Sequence, residues 1–277
     1  MNPAKYCSAV VLIAVIRTTG ASNQESELVS ATSGSEKLSL SYPKKYYEAA
    51  KIDTLPKKTY QGKAPPFRVG PSRYAIELIP YHQQRRHGGR YDYPSYSVVY
   101  VTPLHDQTVA DFDKAYPGLS DSGRLLQELL KERPTDLFAW IVRQSRPSGR
   151  WVLPDEPFNN AGALLLAKFR TISTSWGAGC RFLTYYRDGK AGYGATNEEL
   201  LYNFQGIKKN GAFYISARVA VRHDRLLDSI DDARAASEET EEEQRAEHDR
   251  IDVWPDKSFF LPLARLDCMM ESLQITQ

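Results

Sequence analysis

One tripeptide constrains this chain more than any other. Lys209-Asn210-Gly211 separates the apolar run 200–208 from the run 212–222. Both residues of an Asn-Gly pair accept positive φ, so the pair closes a tight hairpin whose twist matches its strands. The second run alternates. Phe213, Ile215, Ala217, Val219 and Val221 fall on one face, and Tyr214, Ser216, Arg218 and Arg222 on the other. The prediction is an antiparallel sheet with one face more buried than the other.

The remaining periodicities extend that sheet. Residues 74–79 and 95–102 read as strands, the second dense in Val and Tyr. Leu125, Leu126, Leu129 and Leu130 recur at helical spacing, with Asp121 or Ser122 as N-cap and Pro134 as the stop. Residues 135–162, with Trp140, Trp151 and several prolines, predict an irregular cover holding one short helix. Residues 164–173 and 180–187 read as strands joined by a turn at Trp176-Gly177-Ala178-Gly179. The charged stretch 231–250 predicts a solvated helix. Leu263, Leu266, Met270 and Leu273 mark a last amphipathic helix, and Gln274-Ile275 begin a final short strand. The expected fold is α+β: a mostly antiparallel sheet of five to seven strands, packed by helices, sandwich-like.

The N-terminus has a different character. Lys5 precedes an apolar run over 6–16, which is too short to span a bilayer, and Thr19-Gly20-Ala21 supplies small residues after it. Residues 1–21 therefore predict a signal peptide, and the protein is expected to be exported, periplasmic or extracellular. A strand or a retained anchor is the alternative for this segment. Residues 22–70, rich first in Ser, Thr and Glu and then in Lys, Tyr and Pro, read as a flexible tether or arm. Residues 71–277 then form a single α+β domain with the charged helical segment 231–250. The whole chain carries 36 basic and 34 acidic residues. Cleavage removes Lys5 and Arg17 and leaves the two signs balanced, which argues against a nucleic-acid footprint. No second segment is apolar enough to cross a membrane.

From Pro94 onward the chain resembles a family of uncharacterised bacterial exported proteins. The resemblance is carried by Ala115-Tyr116-Pro117-Gly118-Leu119, by 153–163, by 179–186, and above all by Glu199-Leu200-Leu201-Tyr202-Asn203-Phe204-Gln205-Gly206-Ile207. Asn210-Gly211 with Phe213-Tyr214-Ile215-Ser216-Ala217 completes the pattern. It implies export and a shared fold, and no catalytic residues. The order of elements is also similar to the α/β/α sandwich of the photosystem II extrinsic proteins, a likeness of fold only. The Lys/Tyr-rich arm and the acidic stretch 231–250 depart from the family.

Residue patterns give little support to specific chemistries. His82, His87, His105, His223 and His248 make no zinc spacing, and Arg85, Arg86 and Arg90 surround the first two with positive charge. No metal site and no cofactor is expected. There is no Gly-x-Ser-x-Gly elbow, and no basic or His partner for Cys180 or Cys268, so no catalytic residue is assigned. Once Cys7 is removed, Cys180 and Cys268 either pair as a disulfide or stay partly buried thiols. Gly189-Lys190-Ala191-Gly192-Tyr193-Gly194 lacks Walker spacing and reads as a connection between strands. The acidic run 238–243 lacks the turn glycine of a calcium loop. Arg85, Arg86 and Arg90, beside Tyr91 and Tyr93, form a candidate anion-binding turn.

The expectation is an exported, non-catalytic accessory, binding or assembly domain. Its partner would be another envelope protein or a surface polyanion, with no nucleic acid. The alternative is an extracytoplasmic hydrolase whose acids meet only in the fold.

Overall fold

The structure, a computed structural model, describes residues 16–17, 26–33, 36–55, 72–80, 97–105, 119–144, 162–163, 165–187, 194–236 and 241–276. Its elements run β1 (Ile16–Arg17), β2 (Ser26–Ser33), β3 (Glu36–Pro43), β4 (Tyr47–Leu55), β5 (Arg73–Pro80) and β6 (Ser97–Pro103). Two helices follow, α1 (Leu119–Glu132) and α2 (Leu137–Gln144). Then come β7 (Gly162–Ala163), β8 (Ala167–Ser173), β9 (Gly177–Thr184), β10 (Tyr186–Arg187), β11 (Leu201–Lys208) and β12 (Phe213–Ala220). The chain closes with α3 (Ile230–Ala236), α4 (Glu241–Asp252), a 3-10 turn (Asp256–Ser258), α5 (Leu263–Glu271) and β13 (Gln274–Thr276).

Seven strands make one antiparallel sheet in the order β4-β5-β6-β12-β11-β9-β8. Its centre is the expected hairpin, paired from Leu201↔Ala220 to Ile207↔Tyr214. Gly211 has φ 69°, and the Asn210 side chain accepts the Ala212 N–H at 3.0 Å. The fold class is thus mixed α+β and dominated by sheet.

The hairpin's two faces differ from expectation in one respect. Phe213, Ile215, Ala217, Val219 and Val221 lie in the larger core, as alternation requires. Tyr214 and Ser216, on the opposite face, are buried as well. On that side Leu125, Leu126, Leu129, Leu137, Trp140 and Ile141 of α1 and α2 join Cys180, Phe182, Ile207 and Tyr214 in a second core. A central strand covered by layers on both sides has no wet face, and a polar residue such as Ser216 does not reveal that from sequence.

The helices hold to their stripes. α1 begins at Leu119, so Asp121 and Ser122 stand in its first turn. Asp136 caps α2, its carboxylate accepting the Ala139 N–H at 2.9 Å. Trp140 Nε1 donates to Glu132 at 2.9 Å and ties the two helices together.

The glycines after Trp176 also serve a different purpose from the one expected. The chain turns at 174–176, and Gly177 and Gly179 already belong to β9. A Cβ on Gly177 would lie 2.1 Å from the Ile207 carbonyl oxygen, and one on Gly179 would lie 2.3 Å from Phe204 Cζ. Close approach of β9 to β11 demands them, with no need for positive φ.

The largest departure concerns the expected arm, 22–70. Its described residues include β2, β3 and β4. β4 is the edge strand of the large sheet, and β2 and β3 form a small sheet in the order β1-β2-β3-β13. Ile275 of the C-terminal strand pairs with Leu38, and the Ser272 hydroxyl accepts the Ser41 N–H at 3.0 Å. Leu38, Leu40 and Tyr42 alternate with polar residues and sink into the larger core. That period-2 signal was present in the sequence, but the Lys- and Ser-rich surroundings mask it. The expected signal peptide lies outside the described residues except for Ile16–Arg17, which pair with Glu27 and Leu28. Among the described residues no helix is long and apolar enough to cross a membrane.

The charged segment 231–250 is also more than a solvated helix. It divides between α3 and α4, and Glu247 is buried. The Glu247 carboxylate accepts the Ala195 N–H at 2.8 Å and meets Arg250 at 3.3 Å.

Candidate functional site: the corner around His223

The chain leaves β12 at Ala220 and turns at His223 into an irregular segment that leads to α3. The segment between α4 and α5 meets it there. The His223 ring stacks on Trp254, with centroids 4.0 Å apart and planes 18° from parallel, and Phe259 presents its edge at 5.0 Å. Asn197 accepts the His223 N–H at 2.8 Å and donates to the Leu226 carbonyl at 3.2 Å. The Phe260 N–H donates to the Arg222 carbonyl at 2.9 Å. Three segments distant in sequence thus close on one imidazole.

The hydrogen bonds assign its tautomer. Nδ1 accepts the Arg225 N–H at 3.2 Å, so the proton sits on Nε2, which faces Ser258 Oγ at 2.8 Å. Ser258 in turn donates to the Pro255 carbonyl at 2.7 Å. The serine proton therefore points away from the imidazole. A nucleophile with its base requires the opposite polarity, so this His–Ser pair is a joint and not a catalytic dyad. Burial lowers the His223 pKa from its usual value, and Arg225 lowers it further against the opposing pull of Asp224.

Around this corner the apolar surface breaks out. Among the described residues the exposed large hydrophobics are Leu227, Val253 and Phe260, at 48%, 79% and 58%. Each lies on a segment that meets His223. Val253 adjoins the stacked Trp254, Phe260 is bonded through its backbone to Arg222, and Leu227 follows the turn that His223 opens. Tyr46 packs edge-on against Phe260 at 5.8 Å.

A second polar group lies deeper, on the same face of the large sheet. Arg181 reaches Asp267 with Nε at 3.0 Å and also donates to Asp256. Tyr202 donates to Asp267 at 3.0 Å, and Arg170 stands 3.5 Å away. Lys168, at φ 58° on a bulge of β8, donates its backbone N–H to Asp252. Its ammonium reaches the Trp254 carbonyl at 2.7 Å and Asp256 at 3.1 Å. Burial first, with the neighbouring Asp256 charge, raises the Asp267 pKa against the lowering pull of Arg181, Tyr202 and Arg170. The Tyr202 phenol is pushed well above its usual value, by burial first and then by the Asp267 charge. Here two of the scattered acids do meet, and both are held by Arg181. The cluster fastens the C-terminal segment to the sheet.

The sequence-derived candidates fall as follows. No disulfide joins Cys180 to Cys268. Side chains alternate along β9, and Arg181 takes the face that reaches Asp267, so Cys180 lies on the other face in the second core. Cys268, next to Asp267, is exposed across the sheet from it. Arg85, Arg86 and Arg90 lie outside the described residues, as do His82 and His87 and residues 188–193 of the glycine-rich connection. Among the described residues no group of three His, Cys, Asp or Glu could hold a metal ion. Reasoning from sequence weighed His223 only as a metal ligand and so missed its stacking. The aromatic pair Trp254 and Phe259, close in sequence, was the available signal.

Comparison with protein-family models, curated proteins and solved structures finds no match.

Proposed function

We propose that this protein is an exported, non-catalytic binding or assembly domain that meets a protein partner through the His223 corner. The observation that carries this reading is the placement of Leu227, Val253 and Phe260. Large apolar side chains on irregular segments around one point, among charged neighbours, are how protein contact sites present themselves. Arg225 and Lys257 on the same segments give the rim its charge. The corner is built on the hairpin and on segments fastened by Arg181, so it is rigid enough to present a shape.

The test is direct. Val253→Glu with Phe260→Glu places two charges on exposed positions and should leave Tm within about 2 °C of the parent. A partner captured by the parent from the envelope fraction of its own host should be lost by the double variant. Equal capture by both would place the contact elsewhere, and hydrolytic turnover of a surface substrate by both would favour the enzyme. Export has its own check. The mass of the protein recovered from its host should correspond to a chain beginning near residue 22, and an intact Met1-led chain in the cytoplasm would sink that part of the reading.

A further inference from the structure

We infer that His223 is an acid-sensitive latch on the turn after β12: while neutral it holds the Arg225 N–H at Nδ1, and when protonated it loses that bond, with its contacts to Ser258 and Trp254 left in place. The latch needs no partner and is independent of the binding contact proposed for this corner.

Both ring nitrogens are already committed. Nδ1 accepts the Arg225 N–H, and Nε2 donates to Ser258. A proton can enter only at Nδ1, where a backbone N–H already points. Protonation therefore turns an acceptor into a donor that faces another donor, and the Arg225 contact becomes repulsive. The Arg225 guanidinium lies 6.0 Å over the Trp254 ring, which brings a second positive charge to the same stack. Phe259 packs beside the ring without a polar atom.

Arg222 pairs with Asp228 at 3.4 Å. Asp256 is held by Arg181 and Lys168. Glu198 accepts the Ile230 N–H at 3.0 Å, and Glu199 accepts from the Thr196 hydroxyl at 3.4 Å. Asp252 takes the Lys168 N–H. Lys257 adds a positive charge on the 3-10 turn. Asp224 is the acid that opposes Arg225 at the ring, and its effect is the weaker of the two.

The sign follows. The folded pKa lies below the unfolded one, so the unfolded chain takes up the proton first. The contribution of His223 to stability is constant above the ordinary value of 6.5, and it shrinks as pH falls from there until the folded pKa is reached. Each unit between the two values changes the folded-to-unfolded ratio by about tenfold.

The test compares the full chain with His223→Gln from pH 7.5 to 5.0. The parent should lose more in Tm than the variant over this range. Its Trp fluorescence should change in the same window while the chain remains folded. Parallel loss in both proteins would overturn the latch. If His223→Gln does not fold, histidine Cε1–H resonances of the parent decide the matter. The proton of His223 is identified by the ring-current shift from Trp254. Titration below the ordinary 6.5 supports the latch, and titration at or above it overturns it.

Discussion

A chain that begins at residue 71 is expected not to fold. If residues 22–70 were a tether, their removal would leave stability untouched. In the structure this stretch supplies Val29, Leu38, Leu40, Tyr42, Tyr47 and Ile52 to the larger core, every one at most 4% exposed. Full burial of one such side chain contributes about 1.5–3 kcal/mol. Six together contribute about 10 kcal/mol or more, which matches the whole net stability of an ordinary domain. Removal also strips β5 of its neighbour β4 and leaves β13 without β3. The Tyr47 phenol, buried against Ser97 at 3.3 Å, shows how deep the segment sits, since burial raises its pKa despite that hydrogen bond. Residues 71–277 should show no cooperative thermal transition and should bind a hydrophobic dye. A sharp transition near that of the full chain would restore the tether.

Arg181→Met should be the most damaging single substitution of a charged residue. Arg181 is 2% exposed and Asp267 5%, so the change leaves a buried carboxylate without its main counter-charge. Breaking one side of a buried pair costs about 3–5 kcal/mol. The pH dependence gives a second signature. Asp267 already has a raised pKa, so its protonation favours the folded state, and loss of Arg181 removes the largest influence that lowers it. The deficit of the variant should therefore be greatest near neutral pH and shrink as the solution is acidified through the folded pKa. Adding Asp267→Asn should recover part of the loss, because the charge left stranded is then gone. Denaturant unfolding of the two single variants and the double variant measures this. If the effects simply add, the pair is not coupled.

Part of this fold is legible in the sequence and part is not. The hairpin, the leucine helix, the last amphipathic helix and the strand at Gln274 were legible because each is a local pattern with its own punctuation. β2 to β4 were not, although Leu38, Leu40 and Tyr42 alternate cleanly. Their polar partners and the lysines around them look like a linker, and only pairing with the opposite terminus makes the alternation pay. The candidate site was less legible still. His223, Trp254 and Phe259 lie up to 36 positions apart, and no spacing rule joins them. Arg181, Asp256 and Asp267 are separated further, and each alone reads as a surface charge.

The Asn210-Gly211 hairpin remains the measure of the division. Sequence alone determined that an antiparallel sheet would form there, since turn chemistry and alternation act within about twenty residues and need nothing distant. The tertiary structure decided that both faces of the sheet are covered, that the N-terminal strands belong to the core, and that three separate segments close on His223. Those outcomes depend on which surfaces meet. A surface is buried when a complementary one reaches it, and that is a property of the whole chain folded back upon itself.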